Sequence, residues 1–243
     1  MTSREPRLVA TLVSMADTLV SDFDVVDLFH ELLGSCTGLL DVAQAGLLLT
    51  DGEGVLRVAA ASNETANVIE VLELENAGGP GAESFHTGVI VDSGLLDGPD
   101  ARHRWPEFGH AARTAGFRTV TAVPMRLRGQ ILGALDLFLT DTDGLTDTDL
   151  AVAQAMADLA TIAILQDRSA VDDQTVISQL RTALETRVVI EQAKGVVAQE
   201  GLSMDEAFHR IRQHARNTNQ RLSDVSTAIV SGDLSACRLG SGG

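Results

Sequence analysis

The sequence predicts an α+β protein: an antiparallel sheet with flanking helices, then a long connecting coiled-coil helix, then a small all-α three-helix bundle. Apolar residues recur every three or four positions near both ends of the chain, which is the spacing of amphipathic helices. In the middle, short apolar runs are joined by turns that contain Gly and Asp, which is typical of β-hairpins. Helices and hairpins that are segregated along the chain favour the α+β class.

The first part of the chain contains two predicted helices and a hairpin. Helical spacing covers residues 8–20 and 25–40. The apolar runs 45–50 and 55–62 follow, and the sequence Asp-Gly-Glu-Gly between them predicts a turn. The Gly- and Pro-rich cluster at 78–81 is expected to break regular structure.

The next part contains the strongest hairpin signal. We expect a short strand at 88–94 and a helix at 100–115. Two strands at 117–128 and 131–140 then follow, joined by a Gly-Gln turn.

Residues 143–168 predict one long helix. Thr146 stands three residues before Asp149, a variant of the N-terminal capping pattern. The apolar residues of this helix form two neighbouring rows, so we expect the sheet to cover one side and a second copy of the chain to cover the other. Residues 166–185 continue the pattern and predict a rod that connects the domains and dimerises. The rows are Leu150, Ala153, Ala157, Ala160 and Ile164, and Met156, Leu159 and Ala163.

Capping signals divide the C-terminal part into three helices. Thr186 can cap a helix that runs to about Glu200. Ser203 and Glu206 form a capping box for the second helix, and Ser223 can cap a third.

Charge also divides the chain. Residues 1–175 hold 27 acidic and 10 basic residues, whereas residues 176–243 hold 7 and 8. The net charge of −16 would argue against a nucleic-acid partner, but the C-terminal part does not share this acidic excess. The sequence has no run of eighteen apolar residues and no signal-peptide pattern, so we expect a cytoplasmic protein without a membrane partner. Cys36 and Cys237 form no motif and are expected to be a buried thiol and an exposed thiol.

The chain's one lysine, Lys194, stands next to Gly195 inside the first C-terminal helix. A helix-interior Gly costs roughly 0.5–1 kcal/mol relative to Ala. A helical wheel places Gly195 away from the apolar arc, which favours an access point for a partner over core packing. The apolar arc holds Val189, Ile190, Ala193, Val196 and Val197, and the opposite arc holds Arg187, Val188, Glu191, Gln192, Lys194, Gly195 and Ala198. In the next helix Ala207, Phe208, Ile211 and Ala215 face inward, and His209, Arg212 and Arg216 face outward.

Residues of about 20–165 resemble a GAF domain. The stretch DARHRWPEFGHAARTAGFRTVTAVPMRLRGQILGALDLF carries a Trp-Pro pair, a helix of small residues, G-x-R, V-P and G-x-L-x-L in the family's order, and L-T-D-x-D-L opens the last helix. The resemblance implies a sensor domain over residues 1–165. Members of this family bind cyclic nucleotides, haem or bilins, or bind nothing, so the cofactor stays unknown; a small molecule or an upstream signalling protein is the expected signal.

No residue pattern selects among these ligands. Haem would need an axial histidine, and His86, His103 and His110 are more typical of surface loops. Bilin attachment would need a suitably placed cysteine, for which Cys36 is a poor candidate. Metal-site spacings such as C-x-x-C and H-E-x-x-H are absent, as is a nucleophile–base pair, so we expect neither a metal site nor an enzyme.

Residues of about 176–231 resemble an ANTAR domain. The motifs R-x-x-I-x-x-A-K-G, S-x-x-E-A-F and N-x-x-L-x-D-V occur at the family's spacing, with Ala198 where the family often has Met. The resemblance implies a three-helix unit, here 186–231 before a flexible tail at 232–243, that binds paired RNA stem-loops and prevents transcription termination. The two helical wheels and this resemblance together predict RNA contact by Arg187, Gln192, Ala193, Lys194, Gly195, Arg212, Arg216 and Asn219. Lysine and arginine would neutralise phosphates and Gln192 would bond to a base edge.

Two functions remain open on the sequence. The first is a dimeric regulator that binds tandem stem-loops in nascent transcripts, with the acidic first domain shielding the basic residues until a signal arrives. The alternative is a receptor for a small molecule or protein partner, whose C-terminal helices form an interaction module without RNA binding.

Overall fold

The computed structural model describes residues 4–18, 25–51, 53–76, 78–127, 129–166, 173–236 and 239. Within them, five strands form an antiparallel sheet in the order β2-β1-β5-β4-β3. The strands are β1 (Gln44–Thr50), β2 (Leu56–Ala61), β3 (Val91–Asp92), β4 (Thr119–Leu127) and β5 (Gln130–Leu139). The pairings β1–β2 and β4–β5 confirm both predicted hairpins, and the sheet with its helices confirms the α+β class.

The helices lie before, between and after the strands. They are α1 (Arg4–Thr18), α2 (Val25–Leu39), α3 (Glu64–Glu75), α4 (Pro80–Thr87), α5 (Pro99–Arg104), α6 (Pro106–Thr114), α7 (Asp147–Gln166), α8 (Asp173–Ala198), α9 (Met204–Thr218) and α10 (Leu222–Ser231). Within the described part of the chain, no helix combines the length and apolar character that crossing a bilayer requires.

One face of the sheet is covered by α2 and α7, with α1 packed against both helices. Thr146 caps α7 as predicted: its hydroxyl accepts from the Asp149 amide at 3.2 Å, and the Asp149 carboxylate accepts from the Thr146 amide at 3.1 Å. Both apolar rows of α7 reach the core on this face, since Ala153, Met156 and Ala163 are at most 1% exposed. The chain's own helices therefore cover α7, and a second copy is not needed to do so.

The opposite face is covered by helices from the chain between β2 and β4. Its core contains Ile69 of α3, Phe108 of α6, Phe138 of β5 and the one tryptophan, Trp105. Cys36 lies on the first face and is fully buried, which confirms the expected buried thiol; burial raises its pKa to about 12.

Two expectations for this region are wrong. The Gly- and Pro-rich cluster at 78–81 does not only break structure, because α4 begins inside it: Gly79 is the extended N-cap and Pro80 occupies the first helical turn, where its missing N–H costs nothing. Residues 100–115 form two helices rather than one, because Trp105 leaves the helical conformation and Pro106 starts α6.

The C-terminal helices begin differently from the prediction at two of three points. The capping box of Ser203 and Glu206 is present at the start of α9. Thr186 is not a cap, because α8 runs unbroken through it from Asp173. Ser223 is not the cap of α10, whose N-cap is Arg221. A side chain able to cap does so only where the preceding backbone leaves the helix, and packing decides where that happens.

The C-terminal unit has its own small core and also contacts the first domain. Ile190, Ala193 and Val197 of α8 pack with Ile211 of α9 and other buried residues of α9 and α10. Val26 of α2 belongs to the same cluster, and α8 also touches β2. Several sequence predictions concern positions outside the described residues, namely Cys237, 167–172 and 240–243.

Candidate nucleic-acid interface

Lys194 lies between the C-terminal unit and the first domain. Its side chain is only 9% exposed, although the helical wheel places it on the arc opposite the apolar residues. The ammonium donates to both oxygens of Glu191 at 2.9 Å, and it lies 3.6 Å from Oε2 of Glu64 at the start of α3. It also lies 5.9 Å from the ring centre of Phe208. The wheel treated the three helices as isolated and could not include the surface that α8 packs on.

Arg187, two turns before Lys194 on α8, is held by the first domain as well. Its guanidinium donates to the backbone carbonyl of Val58 on β2 and to the side-chain oxygen of Asn67 on α3. Burial lowers the pKa of Arg187, and the carboxylates of Glu191 and others oppose that shift. Two of the cations predicted to contact RNA are therefore engaged within the chain.

Arg212 completes a cluster of cations around His30 of α2. The His30 ring packs against the Phe208 ring of α9 in a tilted arrangement, with ring centres 4.3 Å apart. Burial, followed by the charges of Arg212, Lys194 and Arg187, lowers the pKa of His30 to about 3, so this imidazole is neutral at physiological pH. Burial also lowers the pKa of Arg212, and its Nε atom has no hydrogen-bond partner among the described residues.

A cleft lies where these elements meet. Its lining mixes apolar side chains with neutral polar side chains and with side chains of both charges. Its lining comes from α2, β2, the start of α3, α8 and α9, and consists of Val26, His30, Ala59, Ala60, Ala61, Ser62, Asn63, Asn67, Arg187, Ile190, Glu191, Lys194, Asp205 and Phe208.

Gly195 and Gln192 lie on the part of α8 that stays open. A Cβ atom at Gly195 would meet nothing within 4 Å, which confirms that packing does not explain the glycine. Gln192 is exposed. Ala193 is fully buried in the core, so its side chain cannot contact RNA in this fold; the wheel had already placed it on the apolar arc.

Arg216 and Asn219 lie at the end of α9, and both are exposed. Asn219 adopts the left-handed conformation with φ 51°, and its amide bonds back to Ala215 and Arg216, so it ends the helix. The inward residues of α9 are confirmed, with Ala207, Ile211 and Ala215 buried and Phe208 partly buried.

Sequence reasoning missed the residues of the first domain that hold these cations. Glu64 and Asn67 stand on a helix that the sequence analysis did not predict, and His30 lies on an amphipathic helix without a motif. The signal that could have found them is weak. Polar residues recur at every third or fourth position of residues 64–75, which indicates only that one face of a helix is polar.

Comparison with known proteins gives two family matches. The model for the GAF domain matches residues 24–165, and the model for the ANTAR domain matches residues 178–230. No curated protein matches the chain.

Solved structures resemble the first domain. Free methionine-R-sulfoxide reductase from Neisseria meningitidis, solved in complex with its substrate, is 17% identical with a TM-score of 0.52, over 70% of this chain and 96% of the reductase. The GAF domain of a phosphoenolpyruvate-protein phosphotransferase from Coxiella burnetii is 12% identical with a TM-score of 0.50, over 67% and 95%. At these identities the likeness shows the fold alone.

Proposed function

Because the chain belongs to the GAF family and carries a C-terminal ANTAR domain, we propose that it binds paired RNA stem-loops as a dimer, under control of a signal sensed by its GAF domain. An ANTAR domain implies an RNA-binding antitermination regulator, and a GAF domain implies a sensor. The dimer, the stem-loop target and the sensed ligand or protein partner belong to the proposal.

One observation carries the regulatory part: the sensor domain hydrogen-bonds Arg187 and places a carboxylate beside Lys194, and both are basic residues of the ANTAR motif. Arg187 donates to Val58 and Asn67, and Lys194 faces Glu64. RNA phosphates would compete for the same donors. We take this conformation as the shielded state, from which a signal that loosens the contact between α3 and α8 would free both cations.

The open surface supplies the first contacts with RNA. Gln192 and Gly195 are accessible on α8, and Arg216 and Asn219 are accessible on α9. An unstacked loop base can approach the backbone at Gly195, and the side-chain amide of Gln192 can bond to the edge of that base. Arg216 can neutralise a phosphate. Arg187, Lys194 and Arg212 would add to this surface after release.

The RNA contact is tested by titrating a labelled RNA with two adjacent stem-loops, at several salt concentrations, against the full chain. The variant Arg216→Ala is expected to bind more weakly, with a salt slope shallower by about 1, because one phosphate contact is lost. Arg102→Ala is the matched control, since Arg102 is exposed on α5 of the GAF domain. If Arg216→Ala and Arg102→Ala both bind as the wild type does, the assigned RNA surface is wrong.

Dimerisation is part of the proposal because two linked stem-loops need two binding units. Pairing the units in one particle raises the effective concentration of the second contact. Light scattering at micromolar concentration, with and without the RNA, should give the mass of two chains. A single-chain mass under both conditions would contradict the dimer, and failure of the wild-type chain to bind the RNA would favour the interaction-module function.

A further inference from the structure

Three carboxylates meet inside the GAF domain. Glu70 and Glu73 lie one turn apart on α3, and Asp136 lies on β5, the central strand of the sheet. All three residues are 0% exposed. One oxygen of each lies within 4.8 Å of an oxygen of the other two. Glu70 also stands one helical turn from Asn67, which holds Arg187.

The backbone approaches each carboxylate so closely that a glycine is required beside it. A Cβ atom would lie 1.8 Å from Glu70 if added at Gly46, 2.2 Å from Glu73 if added at Gly79, and 2.1 Å from Asp136 if added at Gly81. The backbone of a glycine therefore packs directly against each of the three carboxylates.

Most oxygens of these carboxylates have no hydrogen-bond partner among the described residues. Glu73 Oε1 accepts from the Ala82 amide at 2.6 Å, but the other five oxygens of the three acids have no hydrogen-bond partner among the described residues. A proton shared between Glu70 and Asp136 would satisfy part of this need. Buried polar atoms without partners are costly, so three adjacent acids require either bound protons or a bound cation.

Burial raises the pKa of Glu70 and Glu73 well above the usual range, and it raises the pKa of Asp136 to about 7. The neighbouring acids add to the shifts of the two glutamates. Near neutral pH the cluster therefore keeps protons that a cation can displace.

We propose that Glu70, Glu73 and Asp136 bind one hard divalent cation of the Ca²⁺ or Mn²⁺ class inside the GAF domain. Carboxylate oxygens are the ligands that such ions prefer. The three oxygens lie no more than 4.8 Å apart, so an ion at their centre lies within about 2.8 Å of each, a range that includes the roughly 2.3–2.6 Å of Ca–O bonds. Mg²⁺ is expected to bind less well, because it demands near-ideal octahedral geometry and gives up its water ligands reluctantly.

The experiment is calorimetric titration of the chelator-treated full chain with Ca²⁺, Mn²⁺ and Mg²⁺, in two buffers that differ in ionisation enthalpy. We expect one Ca²⁺ or Mn²⁺ per chain, protons released on binding, and weaker binding of Mg²⁺. Glu70→Gln and Asp136→Asn keep the side-chain shapes and should each lower the affinity at least tenfold. Glu75→Gln, at an exposed glutamate of the same helix, should leave it unchanged.

Two further readouts keep the test independent of how well a variant folds. Tb³⁺ luminescence excited through Trp105, which lies 3.9 Å from the Cβ position of Gly78, should appear with wild type and disappear when Ca²⁺ is added. The cation should raise the melting temperature of the wild type and not of Asp136→Asn. No binding by the folded wild type at millimolar cation, or binding that survives both substitutions, would overturn the proposal. RNA is absent throughout, so the result does not depend on the proposed function.

Discussion

Replacing Asn67 with alanine should increase the RNA affinity of the full chain without touching any residue assigned to RNA. Asn67 lies on α3 of the GAF domain and accepts a hydrogen bond from the Arg187 guanidinium. In the shielded state, the alanine variant leaves the Arg187 guanidinium half-buried and without the side-chain oxygen that accepted its hydrogen bond. In the released state, water solvates the same donor in both proteins. The substitution therefore destabilises only the shielded state.

The size of the effect follows from the contact that is lost. A hydrogen bond to a charged group contributes about 1.5–3 kcal/mol, and its loss would shift the equilibrium between shielded and released chains about 10- to 150-fold. The Val58 carbonyl still binds Arg187, and Glu64 still faces Lys194 at 3.6 Å, so shielding weakens rather than vanishes. The apparent RNA affinity rises by the same factor as long as the released state is the minor one.

Fluorescence anisotropy with a tandem stem-loop RNA measures this change at one fixed salt concentration. Asn76→Ala is the matched control, because Asn76 is exposed and its side chain bonds to Leu72 at the far end of the same helix. Circular dichroism melting must show that both variants are folded. If folded Asn67→Ala binds RNA with the affinity of wild type and of Asn76→Ala, the sensor domain does not shield the cations as proposed.

Three further predictions follow from single positions. Gly195→Ala should stabilise α8 by about 0.5–1 kcal/mol, because the added Cβ meets nothing within 4 Å. The same substitution should weaken RNA binding, and an unchanged RNA affinity would contradict the role of Gly195 as an access point. The cation-free wild type should lose stability as the pH rises from about 4 through about 7, because Asp136 keeps its proton up to a pKa of about 7 in the folded chain but loses it near pH 4 in the unfolded chain. The melting temperature of Asp136→Asn should change less with pH over the same range. Ser203→Ala should cost about 0.5–2 kcal/mol in chemical denaturation by removing the capping box of α9, and a cost near zero would contradict the cap.

Local patterns were sufficient for much of the secondary structure. The capping boxes at Thr146 and Ser203 are visible in the sequence because cap and partner stand three residues apart in the chain. Both hairpins followed from apolar runs joined by turn residues. The helix at 80–87 was missed because its first residues, glycine and proline, also mark turns.

The cation site that we propose at the acidic cluster could not be predicted from motif spacing. The expectation of no metal site rested on the absence of short ligand motifs. Glu70 and Glu73 are separated by 62 residues or more from Asp136, and only the packing of α3 over the sheet brings them together. The one signal in the sequence was Asp136, an aspartate within the largely apolar strand β5. It indicates a cluster of acids only once Glu70 and Glu73 are known to lie beside it.

The sequence by itself determined the order of the two domains, the core face of α9 and the position of Gly195 away from the core, because periodicity and caps are properties of neighbouring residues. Only the tertiary structure decided that Lys194 and Arg187 face the sensor domain. A helical wheel separates apolar from polar sides, but it does not show which polar side meets solvent and which meets another domain. That choice depends on the surface of β2 and α3, more than a hundred residues away in the chain.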